Sequence, residues 1–73
     1  MNVEIEEQIK KRLSNAIKAS GLTLTQIAKA VEVSVATISY YKSKEKLPTL
    51  PTLAVICKVL EISADELLGL TKI

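Results

Sequence analysis

The sequence predicts an all-α fold, five short helices in one compact domain, and three observations carry that expectation. Apolar residues recur at threes and fours along most of the chain, the period of a helix rather than of a strand. Three segments repeat one helix-start frame: an apolar residue, a hydroxyl side chain, and a second apolar residue four positions after the hydroxyl. The glycines and prolines are few, two of each, and they fall at or near the ends of the periodic segments.

The first helix is expected over about residues 4–19. Ile5, Ile9, Leu13, Ala16 and Ile17 form one apolar face, while Glu6, Lys10, Lys11 and Lys18 face out. Gly21 suits its C-terminal end, because glycine takes positive φ without strain. The second helix, about 24–31, opens on "LTLTQI". Thr23 is the cap and Gln26, three residues on, completes a capping box, with Leu22 and Ile27 placed as a hydrophobic staple. "VSVATI" repeats the frame with Val33, Ser34 and Ile38, and starts a third helix over about 35–43. Val33, Val35, Thr37, Ser39 and Tyr41 also alternate as a strand would. A lone strand would find no partner in this chain, so the helix is preferred. "LPTLPT" then breaks the chain, with Thr49 as the next cap and Pro51 in a first helical turn, where its missing N–H costs nothing. Leu53, Ile56, Cys57 and Leu60 make the apolar stripe of a fourth helix, about 50–60. "ISADEL" repeats the frame once more with Ile62, Ser63, Glu66 and Leu67, starting a fifth helix over about 64–68 that Gly69 ends.

Seventy-three residues form one small domain, taken as 1–73. A chain of this size buries only roughly 60% of its unfolded surface. Apolar residues make up 48% of it, nearly all aliphatic, enough for one core and too little for a buried catalytic cleft as well. A lone Cys57 and the absence of histidine exclude an internal disulfide, zinc-ligand spacing and Ser–His or Cys–His nucleophile pairs. Cys57 lies on an apolar stripe and reads as a small core residue. No enzyme, cofactor, metal or small-molecule substrate is therefore expected. One cysteine in a small domain suits a reducing cytoplasm. The acidic start "MNVEIEEQ" is unlike a signal peptide. The longest apolar run, "LAVIC", is far short of the ~20 residues that span a bilayer. Between Gln8 and Leu60 the bases are Lys10, Lys11, Arg12, Lys18, Lys29, Lys42, Lys44, Lys46 and Lys58, against Glu32 and Glu45 alone. A basic middle between acidic ends suits a polyanionic partner.

The second and third helices are separated only by "EVS", the spacing of a helix-turn-helix over about 23–43, in which the second helix can enter the major groove of DNA. The chain resembles the lambda-repressor-like, Cro-type helix-turn-helix family of phage and bacterial regulators over about residues 10–70. The likeness is carried by Gly21-Leu22-Thr23, Ile27-Ala28, Val31, Val33-Ser34, Thr37-Ile38-Ser39, Pro48, Leu60 and Ser63-Ala64-Asp65-Glu66-Leu67-Leu68. It implies a sequence-specific double-stranded DNA-binding transcriptional regulator, a repressor for preference, with the helix from Val35 as recognition helix. The chain departs from the family at Leu24 and Val35, where glutamine is usual or common. It departs again at Glu32, Lys44 and Glu61, where glycine is customary. A side chain at a positive-φ turn is strained, so either the turn takes another shape or the strain is accepted.

Helical geometry adds the faces. Ile38 is turned inward by its pairing with Val33, and Tyr41, three residues on, shares that side. Tyr40 then points outward with Ala36, Thr37 and Lys44. Val35, Ala36, Thr37 and Tyr40 are the candidate base-contacting residues, because short methyl-bearing side chains and hydroxyls can approach base edges. Thr23, Ser39, Lys42, Ser43, Lys44 and Lys46 are the candidate phosphate contacts. Leu68, Leu70 and Ile73 exceed what a short last helix can bury and are the candidate contacts of a homodimer on DNA. A protein-interaction module using the apolar surface of Leu24, Val35, Ala36 and Tyr40 is the alternative, since fold does not fix function.

Overall fold

The computed structural model describes residues 2–70, and they form five helices: α1 (Asn2–Ala19), α2 (Leu24–Val31), α3 (Val35–Lys42), α4 (Leu50–Leu60) and α5 (Ala64–Leu68). The expected ends agree within two residues throughout. No strand occurs among the described residues, so the alternating pattern around Thr37 yields to the helix. Helix α2 packs on α3 and α4, α1 packs on α3 and α5, and α4 closes on α5. One apolar cluster lies between them: Leu13 and Ile17 from α1, Ile27, Ala28 and Val31 from α2, Ile38 and Tyr41 from α3, Leu53, Ile56 and Cys57 from α4, and Leu67 from α5. Each large side chain buried there contributes about 1.5–3 kcal/mol of transfer free energy.

The apolar face of α1 is covered only along its second half. Residues 2–8 are exposed throughout, Ile5 among them. Lys10 supports that stretch instead. Its Nζ lies 3.1 Å from Glu6 Oε2 and 3.9 Å from Glu7 Oε1, pairs whose exposed carboxylates make them worth only about 0.3–0.5 kcal/mol. A lysine counted in the basic middle is thus matched by the acids of its own helix.

The helix starts show which parts of the repeated frame form hydrogen bonds. At α2 the capping box is complete: Gln26 N–H donates to Thr23 Oγ1 (3.1 Å) and Thr23 N–H donates to Gln26 Oε1 (2.8 Å). At α3, Thr37 N–H donates to Ser34 Oγ (3.1 Å). At α5, Ser63 Oγ accepts from Asp65 N–H (3.2 Å), one residue short of the expected Glu66. Thr49 stands at the α4 cap position, but its hydroxyl donates to Thr52 Oγ1 (3.1 Å) and caps no backbone N–H. Leu22 stays exposed while Leu24 packs against the core.

The helix ends resolve the question left by the missing glycines. Glu32, Lys44 and Glu61 all adopt left-handed backbone, with φ of 64°, 67° and 56°. After each, the next N–H reaches back to the carbonyl five residues earlier: Val33 to Ala28 (3.0 Å), Glu45 to Tyr40 (2.9 Å) and Ile62 to Cys57 (3.0 Å). Gly69 ends α5 in the same way, with Leu70 N–H donating to Asp65 O at 2.8 Å. This is the closing pattern that usually selects glycine. Here three of four helices keep a side chain at the left-handed position, so the strain is accepted and the turn shape is retained.

Candidate nucleic-acid interface

Helix α3 divides along its length. Ile38 is completely buried, and Tyr41 is 7% exposed against 41% for Tyr40. Because neighbouring residues on a helix point about 100° apart, burying Ile38 and Tyr41 turns Ala36 and Tyr40 to the opposite side, with Ser39 and Thr37 on its flanks. Ala36, Ser39 and Tyr40 are exposed, Val35 is exposed at the first turn, and Thr37 is half-buried. Burial raises the Tyr41 phenol above its usual range, as expected of a ring taken out of water.

Three of the candidate contact hydroxyls, those of Thr37, Thr23 and Ser43, are already engaged. Thr37 Oγ1 lies 2.8 Å from Ser34 Oγ, so its methyl group is freer for contact than its hydroxyl. Thr23 is exposed but committed to the capping box. The Ser43 hydroxyl lies within donating distance of Tyr40 O (3.2 Å) and of Glu45 Oε2 (3.1 Å). Lys42, Lys44 and Lys46 are all exposed at the end of α3 and in the turn that follows. Lys46 Nζ stands 4.7 Å from the centre of the Tyr40 ring. Among the candidate dimer residues, Leu68 is half-buried and lines a groove with Ile9, Leu47, Pro48, Leu50 and Leu53. Leu70 is 67% exposed and Leu50, at the rim of the groove it lines, 78%. Ile73 lies outside the described residues.

Sequence reasoning missed Ser14. Its hydroxyl, almost fully buried, donates to the Lys42 carbonyl and so ties α1 to the last turn of α3. That carbonyl is one of the four a helix end leaves without an internal partner. A small polar residue set among Leu13 and Ile17 on an otherwise apolar face was the available signal. Arg12 was also read only as charge. Its guanidinium lies against Gly69, where an added Cβ would fall 2.5 Å from Nη2.

Among the described residues no group of three or more His, Cys, Asp or Glu is gathered as a metal ion would need. No described helix is long and apolar enough to cross a membrane.

A family profile for helix-turn-helix proteins matches residues 13–67, and the chain belongs to that family, the lambda-repressor-like one its motifs resemble. The cryptic phage CTXphi transcriptional repressor RstR of Vibrio cholerae serotype O1 is 44% identical over 62 residues, which cover 85% of this chain and 55% of that protein. The uncharacterized HTH-type transcriptional regulator YobD of Bacillus subtilis is 32% identical over 60 residues, covering 82% of this chain and 54% of that protein. The chain thus spans about half the length of these relatives. No solved structure matches it significantly.

Proposed function

We propose that this protein is a sequence-specific, double-stranded DNA-binding transcriptional regulator that acts as a repressor in a bacterial cytoplasm. The carrying observation is the division of α3: Ile38 and Tyr41 in the core, Val35, Ala36 and Tyr40 toward solvent, and three exposed lysines at its end. In this reading α3 enters the major groove. Val35, Ala36, Thr37 and Tyr40 meet base edges, the methyl groups against thymine and the Tyr40 hydroxyl as a hydrogen-bonding group. Thr23, Ser39, Lys42, Ser43, Lys44 and Lys46 meet phosphates and fix the register. Membership of the helix-turn-helix family supports the reading, and so does the 44% identical relative, a transcriptional repressor.

One such domain reads few base pairs, so two copies on a two-fold site follow naturally. The exposed Leu50, which lines the Leu68 groove, and the exposed Leu70 are the described surface offered to a second copy, with Ile73 as a further contact. Sedimentation of the protein alone and with its duplex tests this. A monomer under both conditions at high concentration would refute it.

Selection from a random duplex pool, followed by affinity measurements at several salt concentrations, tests the function. Each phosphate neutralised contributes a slope of about −0.9 in log affinity against log salt, so Lys42, Lys44 and Lys46 alone should give roughly −3 per copy. An unenriched pool, or binding insensitive to salt, would reject groove binding and favour a protein partner for the same surface.

A further inference from the structure

Lys46 lies outside α3, in the turn that leads to α4, yet its ammonium stands 4.7 Å from the Tyr40 ring centre. The backbone brings it there. Lys44 turns left-handed (φ 67°), Lys44 N–H donates to Tyr41 O (3.2 Å), and Glu45 N–H donates to Tyr40 O (2.9 Å). These two bonds fold residues 44–46 back over the last turn of α3. The Ser43 hydroxyl, within reach of Tyr40 O and of the Glu45 carboxylate, joins the same turn. Among the described residues the ion pairs all belong to Lys10, so the Lys46 ammonium is held by an aromatic face and by no carboxylate.

We infer that Lys46 is a positioning residue for Tyr40: stacked on its ring, it fixes the tyrosine in the direction from which it reads DNA, and thereby sets specificity as well as supplying charge. This rests on the DNA-binding reading above. An exposed tyrosine on a helix otherwise samples several rotamers, and binding must freeze one of them. A ring already held by a cation is ordered during folding, so less ordering remains to be done on the duplex. A lysine that only neutralises a phosphate would weaken all sequences alike. A lysine that orients a reading side chain weakens the preferred sequence more than others.

The test is a double-mutant cycle with Lys46→Gln and Tyr40→Leu, measured on the duplex recovered by selection and on a scrambled duplex of equal composition. On the selected duplex, Lys46→Gln should lower affinity about tenfold, in the range of a desolvated cation–π contact plus one lost charge. On the scrambled duplex the loss should be only about twofold to threefold, the charge component alone. In the Tyr40→Leu background Lys46→Gln should cost no more on the selected duplex than it does on the scrambled one, because its orienting target is gone. Lys46→Arg, which keeps the stacking cation, should retain most of the specificity. Repeating the selection with Lys46→Gln should relax the same base positions that Tyr40→Leu relaxes. In the free protein, the Lys46 side-chain methylene protons should resonate upfield under the ring current of Tyr40 and return to ordinary positions in Tyr40→Leu. Equal losses on both duplexes, with effects that multiply across the cycle, would overturn the inference and leave Lys46 a phosphate contact. Wild-type protein that binds neither duplex would overturn the DNA-binding reading itself and this inference with it.

Discussion

Replacing Glu32, Lys44 and Glu61 with glycine should stabilise the domain, against the usual expectation that glycine weakens a fold. The three residues hold φ of 64°, 67° and 56° at the ends of α2, α3 and α4. A side chain in the left-handed region costs about 1–2 kcal/mol. Glycine removes that strain but enlarges the freedom of the unfolded chain, which offsets about 0.4–1 kcal/mol. The net gain is about 0.5–1 kcal/mol at each site. The three sites lie in separate turns, so the gains should add, to about 2 kcal/mol in the triple variant. For a domain of this length that raises Tm by roughly 10 °C. Urea unfolding followed by far-ultraviolet circular dichroism measures it, with an unchanged m-value confirming that the compactness of both states is preserved. A triple variant no more stable than the wild type would refute the strain argument. Lys44→Gly adds a sharper expectation. It should gain stability while losing DNA affinity, because the side chain removed is a candidate phosphate contact. That opposition would explain why a lysine occupies a position whose backbone favours glycine.

Tyr41→Ala should cost about 3–5 kcal/mol, a large part of the total for a domain held by roughly 0.05–0.15 kcal/mol per residue. Tyr40→Ala should move stability by no more than about 0.5 kcal/mol while weakening binding to the selected duplex, and thermal melts beside binding isotherms separate the two. Ser14→Ala should cost about 1–2 kcal/mol by leaving the Lys42 carbonyl without its donor, read by urea unfolding. With no histidine in the chain, stability should be flat from about pH 5.5 to 8 and fall in alkali. Burial raises the Cys57 and Tyr41 pKa values, so above their ordinary values, about 8.5 and 10, the unfolded chain releases protons that the folded chain retains, and unfolding becomes more favourable. Melts recorded from pH 6 to 11 should show this, with the onset moving to higher pH in Cys57→Ala.

Most helices were legible because the period and the hydroxyl caps agreed, and the face of α3 because the Ser34 cap and the spacing of Val33, Ile38 and Tyr41 outweighed the strand-like alternation around Thr37. What escaped depends on where the chain returns in space. Ile5 continues the apolar line of α1, but whether anything covers it is decided by where the other helices lie, and it stays exposed. Lys46 and Tyr40 are six residues apart, and only the left-handed turn at Lys44 brings them together. Ser14 and Lys42 are joined across 28 positions, a pairing that no local pattern encodes. The shape of the Glu32 turn was open for a different reason. Glycine is the residue that announces such a turn, and here a glutamate holds the same backbone, with Val33 N–H closed on Ala28 O and Val33 packed against the core.

The apolar residues at 24 and 35 bear most directly on what the protein reads. Leu24 packs against the core from the first turn of α2, and Val35 stands exposed at the first turn of α3. The resemblance leads one to expect glutamine amides at these positions, one holding a phosphate and one reading adenine. In the proposed reading, discrimination without them would rest on methyl contacts, the Tyr40 hydroxyl and the shape of the groove, and affinity on the lysines. Restoring one amide should therefore shift specificity without shifting electrostatics. Val35→Gln should create a preference for adenine at the base pair beneath it, worth about 1–3 kcal/mol if the contact is bidentate. Its salt slope should stay that of the wild type, because no charge has changed. Because the position is exposed, the variant should melt with the wild type, and a thermal melt checks that directly. A variant whose selected sequences match the wild type's at every position would show that residue 35 does not face the bases, and α3 would then have to sit in the groove in another orientation.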